Sequence, residues 1–418
     1  MQINKDKIIR TVTLEKHMAY FTPGHGSPKT SLRVPESFSL YICPPSCARR
    51  LGIRSVINGE MKDSAFLLLE ENDVISGDYV NSIAGAVEKI SRIRMEENGK
   101  YPRAYVLYLN CIDDFLGTDE NALIDSLEAR FKDIVFTVCH INPISDGTGT
   151  PRGMLVYDRL FSFLKQRTED DNSVNFIGNY VPINSDCELY EILENYGIKQ
   201  INEPISMKTF DEYQKMANAQ CNVVFMMMGI LAGQNMEKKF KIPYLFLPVS
   251  YSMEDVEEEY RKLSEVLKKP LPKEILETQK SLTKAAIKNT LSIVGDTPIA
   301  IDTYGVRMPF SLARALREYG FKVDAVFEAH AKEVDRENMQ FIKNECKDIK
   351  IIKGFDYSEI SRLNLSREML AIGYDCAYSI KARHFVDIRH DEGLFGFYGI
   401  QMMMKYLADA YKSITEWK

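Results

Sequence analysis

The sequence predicts an α/β protein of three doubly wound parallel-sheet domains around a central cleft. Three observations lead there. Short apolar runs of strand length alternate with amphipathic helical segments, the grammar of strand-helix-strand units and parallel pairing. That alternation recurs in three successive stretches, expected as domains at 1–170, 171–291 and 292–418, with no low-complexity tract between them. The chain has 418 residues, 45% of them hydrophobic and 27% charged, which suffices for several ordinary cores.

In the first stretch, a mostly apolar run from Ser37 to Ile42 leads into "CPPSC", Cys43 to Cys47. "AYVLYLNC" (Ala104 to Cys111) and "IVFTVCHI" (Ile134 to Ile141) are further strand-length runs, each ending in turn residues. Between them "DENALIDSLEARF" carries apolar residues at helical spacing. The second stretch opens with a strand at Val174–Ile177 and a glycine turn. A helix follows in "SDCELYEILENYG", capped by Ser185 or Asp186 and stopped at Gly197. "CNVVFMMMG" reads as a strand, and "NMEKKFKIPYLFLPVS" as a helix end running into another. Residues 254–290 read as long charged helices that link domains. In the third stretch, a strand at Ile299–Ile301 gives way to a helix reaching Tyr319, with Gly320 as its C-terminal stop. A strand at Val323–Phe327, the run "IKIIKG" and a closing helix in "GIQMMMKYLADAYKSI" complete it. Each unit is therefore Rossmann-like.

Charge and hydropathy exclude two classes. A formal charge of −6 argues against a general nucleic-acid binder, which needs a surplus of Lys and Arg to neutralise phosphates. No apolar run approaches the roughly 20 residues that span a bilayer. The N-terminal "MQINKDKIIRTVTLEKHMAY" has no apolar signal core, so a cytoplasmic location is expected. There the eight cysteines stay reduced, which favours metal or redox use over disulfides.

In doubly wound sheets, ligands sit beyond the carboxyl ends of the strands. The informative residues are Cys43 and Cys47, Cys111, Cys139 with His140, Gly178–Tyr180, Tyr304–Arg307 and the loop of His390. Cysteines are prominent among them. Each also has a plainer reading, because a free cysteine packs like a small hydrophobe. Cys139, Cys187, Cys221, Cys346 and Cys376 are expected in the core, as are the Met runs 226–228 and 402–404. His390, in the polar loop "DIRHDEG", reads either as a surface histidine or as an acid.

The order and spacing of several segments resemble component 1 of the nitrogenase superfamily, over nearly the whole chain. "LYICPPSCA" is similar to that family's H-G-P-x-G-C-A, and "LNCIDDFLGTD" to its C-P-x-x-x-I-G-D-D. "NFIGNYVPINSDCELYEILENYGI" and "MEKKFKIPY" resemble its second domain. "IDTYGVRMPFSLARALREYGFKV" and "GLFGFYGIQMMMKYLADA" resemble its third. The resemblance implies that Cys47 and Cys111 are ligands of a [4Fe-4S] cluster bridging two subunits. It implies a second component 1 subunit, identical or related, and a separate ATP-dependent iron protein that delivers electrons. This chain has no G-x-x-x-x-G-K-[ST] loop of its own.

The departures from that pattern narrow the expectation. Where the family carries an earlier cluster cysteine, this chain has "YFTPGHG". Cys43, His17, His25 or a partner residue is left to complete the ligation, and a six-thiolate double cluster is not expected. The positions that hold the nitrogenase active-site cofactor carry Phe225 and Phe395, and a pocket histidine is missing from "GTPRG". Dinitrogen is therefore not the expected substrate. Arg307 matches a pocket arginine and suits an anionic group such as a carboxylate. His390 and His25 are the candidate proton donors. Three functions follow: a reductase of a small molecule such as a tetrapyrrole, a non-catalytic scaffold for metallocluster assembly, or a cluster-free binding protein.

Overall fold

The structure, a computed structural model, describes residues 8–12, 32–48, 61–76, 79–141, 149–165, 171–328, 333–353, 360, 362–363, 365–391 and 393–417. The chain forms two compact units. One comprises Gly24–Tyr180 and Ile198–Leu247; the other comprises Met1–Pro23, Val181–Gly197 and Pro248–Lys418. Three parallel sheets account for most strands, as the sequence predicts, and each sheet draws its strands from one continuous region of chain. A short strand, β1 (Ile8–Val12), lies outside them and pairs in parallel with the last strand of the chain.

The first unit holds two of the sheets. The first is built from β2 (Ser37–Cys43), β3 (Ser64–Leu68), β4 (Ala104–Asn110) and β5 (Val135–Ile141), in the order β3-β2-β4-β5. Central β4 is buried along nearly its whole length, whereas β2 alternates buried and half-buried positions up to Ile42. Burial on both faces is what helices on both sides of a parallel sheet require. Phe38, Leu40, Ile42, Tyr105, Leu107 and Leu109 form one face of the core. Over it lie the helix Tyr79–Asn98, through Tyr79, Ile83 and Val87, and the helix Glu120–Arg130, through Leu123 and Leu127. Asp119 caps the latter by accepting from the Ala122 N–H at 3.0 Å. Tyr41 stacks between Phe66 and Tyr108, with ring centroids 5.3 and 4.6 Å away.

The second sheet, β6 (Ser173–Ile177), β7 (Gln200–Asn202), β8 (Cys221–Val224) and β9 (Tyr244–Phe246), has the order β7-β6-β8-β9. Its interior carries a row of buried asparagines on adjacent strands. Asn202 Nδ2 donates to Asn175 Oδ1 at 3.0 Å, and Asn175 Nδ2 donates to Asn222 Oδ1 at 2.7 Å. A one-residue slip would leave these amides facing apolar neighbours, so the row specifies register. Strand β8 stops at Val224, short of the expected run, and Met227–Gly229 is a 3-10 turn. Gly229 lies so close to Gly178 that a Cβ there would stand 2.9 Å from the Gly178 Cα.

The other unit is built on β10 (Ile299–Asp302), β11 (Val323–Glu328), β12 (Lys350–Lys353), β13 (Leu370–Ile372) and β14 (His384–Val386), ordered β12-β11-β10-β13-β14. The helix Pro309–Glu318 follows β10 and ends before Gly320, whose φ is +94°. Helices Met253–Val266 and Lys273–Val294, the charged stretch of the sequence, belong to this unit. They pack on the closing helix Gly396–Lys412, where Thr290 Oγ1 donates to the Met404 carbonyl at 3.0 Å. The chain ends in β15 (Ser413–Trp417), the partner of β1. The helix expected from Ser185 begins instead at Glu188, with no side-chain cap on its first turn. No helix among the described residues is long and apolar enough to cross a membrane.

Candidate metal centre

Strands β2 and β4 are parallel neighbours with Ile42 beside Leu109, so Cys43 and Asn110 leave the sheet at the same edge. After Cys43 the Pro44 carbonyl accepts from the N–H groups of Cys47 and Ala48, at 3.0 and 3.1 Å. The prolines remove two backbone donors and fix the chain's entry into a helical turn that lifts Cys47 clear of the strand. Beside it, Cys111 is the first residue of the short helix Cys111–Leu116. Asn110 caps that helix, its Oδ1 accepting from the Ile112 N–H at 2.9 Å, and its Nδ2 donates to the Cys47 sulfur at 3.8 Å. Cys47 and Cys111 are both half-buried. Cys43 is only 1% exposed. Burial, reinforced by nearby Cys47, pushes the Cys43 thiol up to about 11.

The short helix is braced from behind. The buried carboxylate of Asp113 accepts from the hydroxyls of Tyr79 and Thr118. Burial, followed by the Asp113 bond, drives the Tyr79 phenol well above its ordinary value. From β5, His140 places Nε2 2.9 Å from Glu120 Oε1 and Nδ1 3.9 Å from Asp113 Oδ2. Arg159 meets the other Glu120 oxygen at 3.2 Å. The short helix is thus tied to the helix Tyr79–Asn98 and to β5.

This donor set suits iron–sulfur ligation. Two half-buried thiols share one sheet edge, and an amide N–H points at one of the sulfurs. A [4Fe-4S] cluster takes four thiolates. Among the described residues no three His, Cys, Asp or Glu side chains converge as metal ligands. Of the three cysteines at this edge, Cys47 and Cys111 are the half-buried ones.

The second group of candidates lies in the other unit, at the carboxyl edge of the third sheet. His390 and Asp391 both adopt left-handed backbone, φ +50° and +57°, a strained conformation for non-glycine residues. Local bonds hold them there. The His390 N–H donates to the Tyr304 carbonyl at 2.9 Å, and the His390 carbonyl accepts from Arg307 Nε at 3.1 Å. Asp391 accepts from the Arg307 N–H at 2.8 Å and from the Tyr251 hydroxyl at 2.6 Å. Nearby, buried Asp302 gathers the N–H groups of Tyr304, Gly305 and Cys376, at 2.8, 2.6 and 2.9 Å. Asp375, beside it, is pushed up to about 7 by burial and then by the Asp302 charge, against the pull of Arg389.

The structure thus gathers Cys43, Cys47 and Cys111 at one edge and Arg307 with His390 at another. His25 and His17 lie outside the described residues. Phe225 and Phe395 are core residues, packed against Phe176 at 5.0 Å and Tyr260 at 6.1 Å between ring centroids. Sequence reasoning missed Asn110, Asp375 and Asp391. Only Asn110 left a signal, as a good capping residue directly before Cys111.

A family described as "Nitrogenase component 1 type Oxidoreductase" matches residues 30–410. A curated relative, the nitrogenase iron-molybdenum cofactor biosynthesis protein NifE of Clostridium pasteurianum, is 24% identical over 289 residues. That match takes in 66% of this chain and 60% of the relative's length. Among solved structures, "Nitrogenase Cp1 at pH 6.5" superimposes with a TM-score of 0.69 at 15% identity, covering 98% of this chain and 93% of that one. "Nitrogenase Cp1 at pH 5" gives 0.57 at 14% identity, covering 93% and 89%. These structural likenesses establish the fold.

Proposed function

Because the chain belongs to the nitrogenase component 1 type oxidoreductase family, we propose that it is an iron–sulfur oxidoreductase subunit. In this reading Cys47 and Cys111 give thiolates to a [4Fe-4S] cluster shared with a second subunit. A separate ATP-hydrolysing iron protein supplies the electrons. The substrate is a small molecule other than dinitrogen, such as a tetrapyrrole or another molecule that is hard to reduce.

The observation that carries the reading is the placement of Cys47 and Cys111 at the ends of neighbouring parallel strands, on loops joined by the Asn110 side chain. When bound, such a cluster supplies one-electron transfer at low potential. The chain's own residues do the rest. Cys47 and Cys111 grip the metal, and the Asp113, Tyr79 and Thr118 bonds keep the Cys111 helix from shifting. Cys43 lies buried at the end of β2, where ligation would cost the burial of its thiol. It acts as packing under the pair. Arg307 anchors an anionic substrate group, while His390 and His25 are the proton-donor candidates.

The test is anaerobic purification with iron and sulfide quantification. A brown protein with about four iron atoms per pair of chains is expected. Cys47→Ser or Cys111→Ser should cut the iron to background. A colourless wild-type protein, or iron content indifferent to both substitutions, overturns the assignment.

A second reading is favoured by the similarity to NifE, a cofactor biosynthesis protein by name. Here the same half-site belongs to a scaffold that assembles a metallocluster and passes it on. Loaded protein that surrenders its metal to an acceptor protein, without consuming electrons from an iron protein, decides for the scaffold. Sustained substrate reduction decides for the enzyme.

A further inference from the structure

We propose that Asn110 is a positioning residue for the metal centre: one buried amide sets both thiols of the half-site and donates an N–H to the Cys47 sulfur. The proposal rests on the ligand assignment above. Asn110 is 6% exposed, so its amide is largely shielded from water. Its two arms have opposite character and lie in one rigid plane. The oxygen arm accepts from Ile112 N–H at 2.9 Å and thereby fixes the turn that begins at Cys111. Once that arm is engaged, the nitrogen arm faces β2's loop and meets the Cys47 sulfur at 3.8 Å.

The residue type follows from the double task. Ser, Thr, Asp and Asn all cap helices well. Of these, only Asn has an N–H that extends past the cap to a sulfur on the next strand's loop. The consequence for a bound cluster is electrostatic. Reduction adds negative charge that spreads onto the ligand sulfurs, and an N–H aimed at one of them stabilises the reduced form more than the oxidised form. Asn110 therefore raises the reduction potential of any cluster held by Cys47, and it presents both thiols in place before iron arrives.

Three variants separate the two arms. Asn110→Thr keeps a neutral cap and removes the sulfur donor. Asn110→Asp keeps the shape and the cap, again without the donor. Asn110→Ala removes both. On anaerobically iron-loaded protein, a redox titration followed by electron paramagnetic resonance should place the Asn110→Thr midpoint below wild type at equal iron content, with Asn110→Asp lower still. Asn110→Ala should also load less iron. On iron-free protein, iodoacetamide labelling read by peptide mass spectrometry should modify Cys111 several-fold faster in Asn110→Ala, because its turn frays, and at the wild-type rate in Asn110→Thr. An unmoved midpoint in Asn110→Thr, or an unchanged Cys111 labelling rate in Asn110→Ala, overturns the inference while leaving the functional reading intact. Wild-type protein without iron overturns both.

Discussion

Asp375 sits beside Asp302, Tyr304 and Arg389 at the edge of the third sheet, only 7% exposed, and its carboxyl is pushed up to about 7 from an ordinary 3.8. Two carboxyls share one buried region, and the three N–H donors on Asp302 make it the better place for the charge. The sign of the linkage follows. A carboxyl whose folded-state pKa is raised contributes stability that is complete below pH 3.8 and is lost as pH rises through about 7. Asp375→Asn removes that dependence. Its melting temperature relative to wild type should climb between pH 4 and about pH 7, as wild type comes to carry the buried charge, and then level off. A difference that stays flat across those pH values would show that Asp375 titrates normally. Nothing in the local sequence "IGYDCAY" announces this environment, because it is created by β10, a strand about 70 residues earlier.

The closing helix Gly396–Lys412 shows how an element borrows its cap from a distant segment. Its first turn has no side-chain cap of its own. The carboxylate of Glu188, 3% exposed, accepts instead from the N–H groups of Phe397 and Tyr398 at 2.6 and 3.0 Å, and from the Tyr260 hydroxyl at 2.7 Å. A carboxylate also suits the positive end of the helix dipole. Gly396, at φ +62°, leaves the space this needs: a Cβ there would lie 2.2 Å from Glu188 Oε1. Glu188→Ala strands two buried donors and a half-buried one and should cost about 3 kcal/mol, read as a lower urea midpoint. A loss under about 1 kcal/mol would mean that water replaces the carboxylate. The helix itself was legible from its apolar spacing in "GIQMMMKYLADAY", as were β4, β6, β10 and β11 from their apolar runs. Three of the four three-residue strands, β7, β13 and β14, were not; β9 lies inside the longer apolar run "YLFLPV". Period-two alternation needs at least four residues to be seen, and these strands exist because a neighbouring strand pairs with them.

At the scale of the whole molecule, the two compact units do not follow the three sheets one for one. Residues Val181–Gly197, which include the Glu188 helix, lie with the third sheet, although β6 and β7 on either side of them lie in the other unit. That interleaving shows no composition signal, since it depends on which apolar faces meet. The proposed half-site makes a prediction about assembly. In that reading one chain brings two thiols to a [4Fe-4S] cluster, which takes four thiolates. Iron-loaded protein should therefore sediment anaerobically as a pair of chains, and Cys47→Ser should lose the pair's iron. A fully loaded single chain would sink the shared-cluster arrangement.

The sequence by itself determined the α/β class, the order of the main strands and helices, and the family. Those properties reside in local periodicity and in motifs read in order along the chain, such as "CPPSC" and "LNCIDDFLGTD". Only the tertiary structure decided that Cys43 is buried while Cys47 and Cys111 are half-exposed, and that Asn110 connects the two. It alone placed a carboxyl with a pKa of about 7 next to Asp302. The reason is that burial and hydrogen-bond partnership are properties of strands brought side by side, and the pairing of β2 with β4 joins positions more than 60 residues apart.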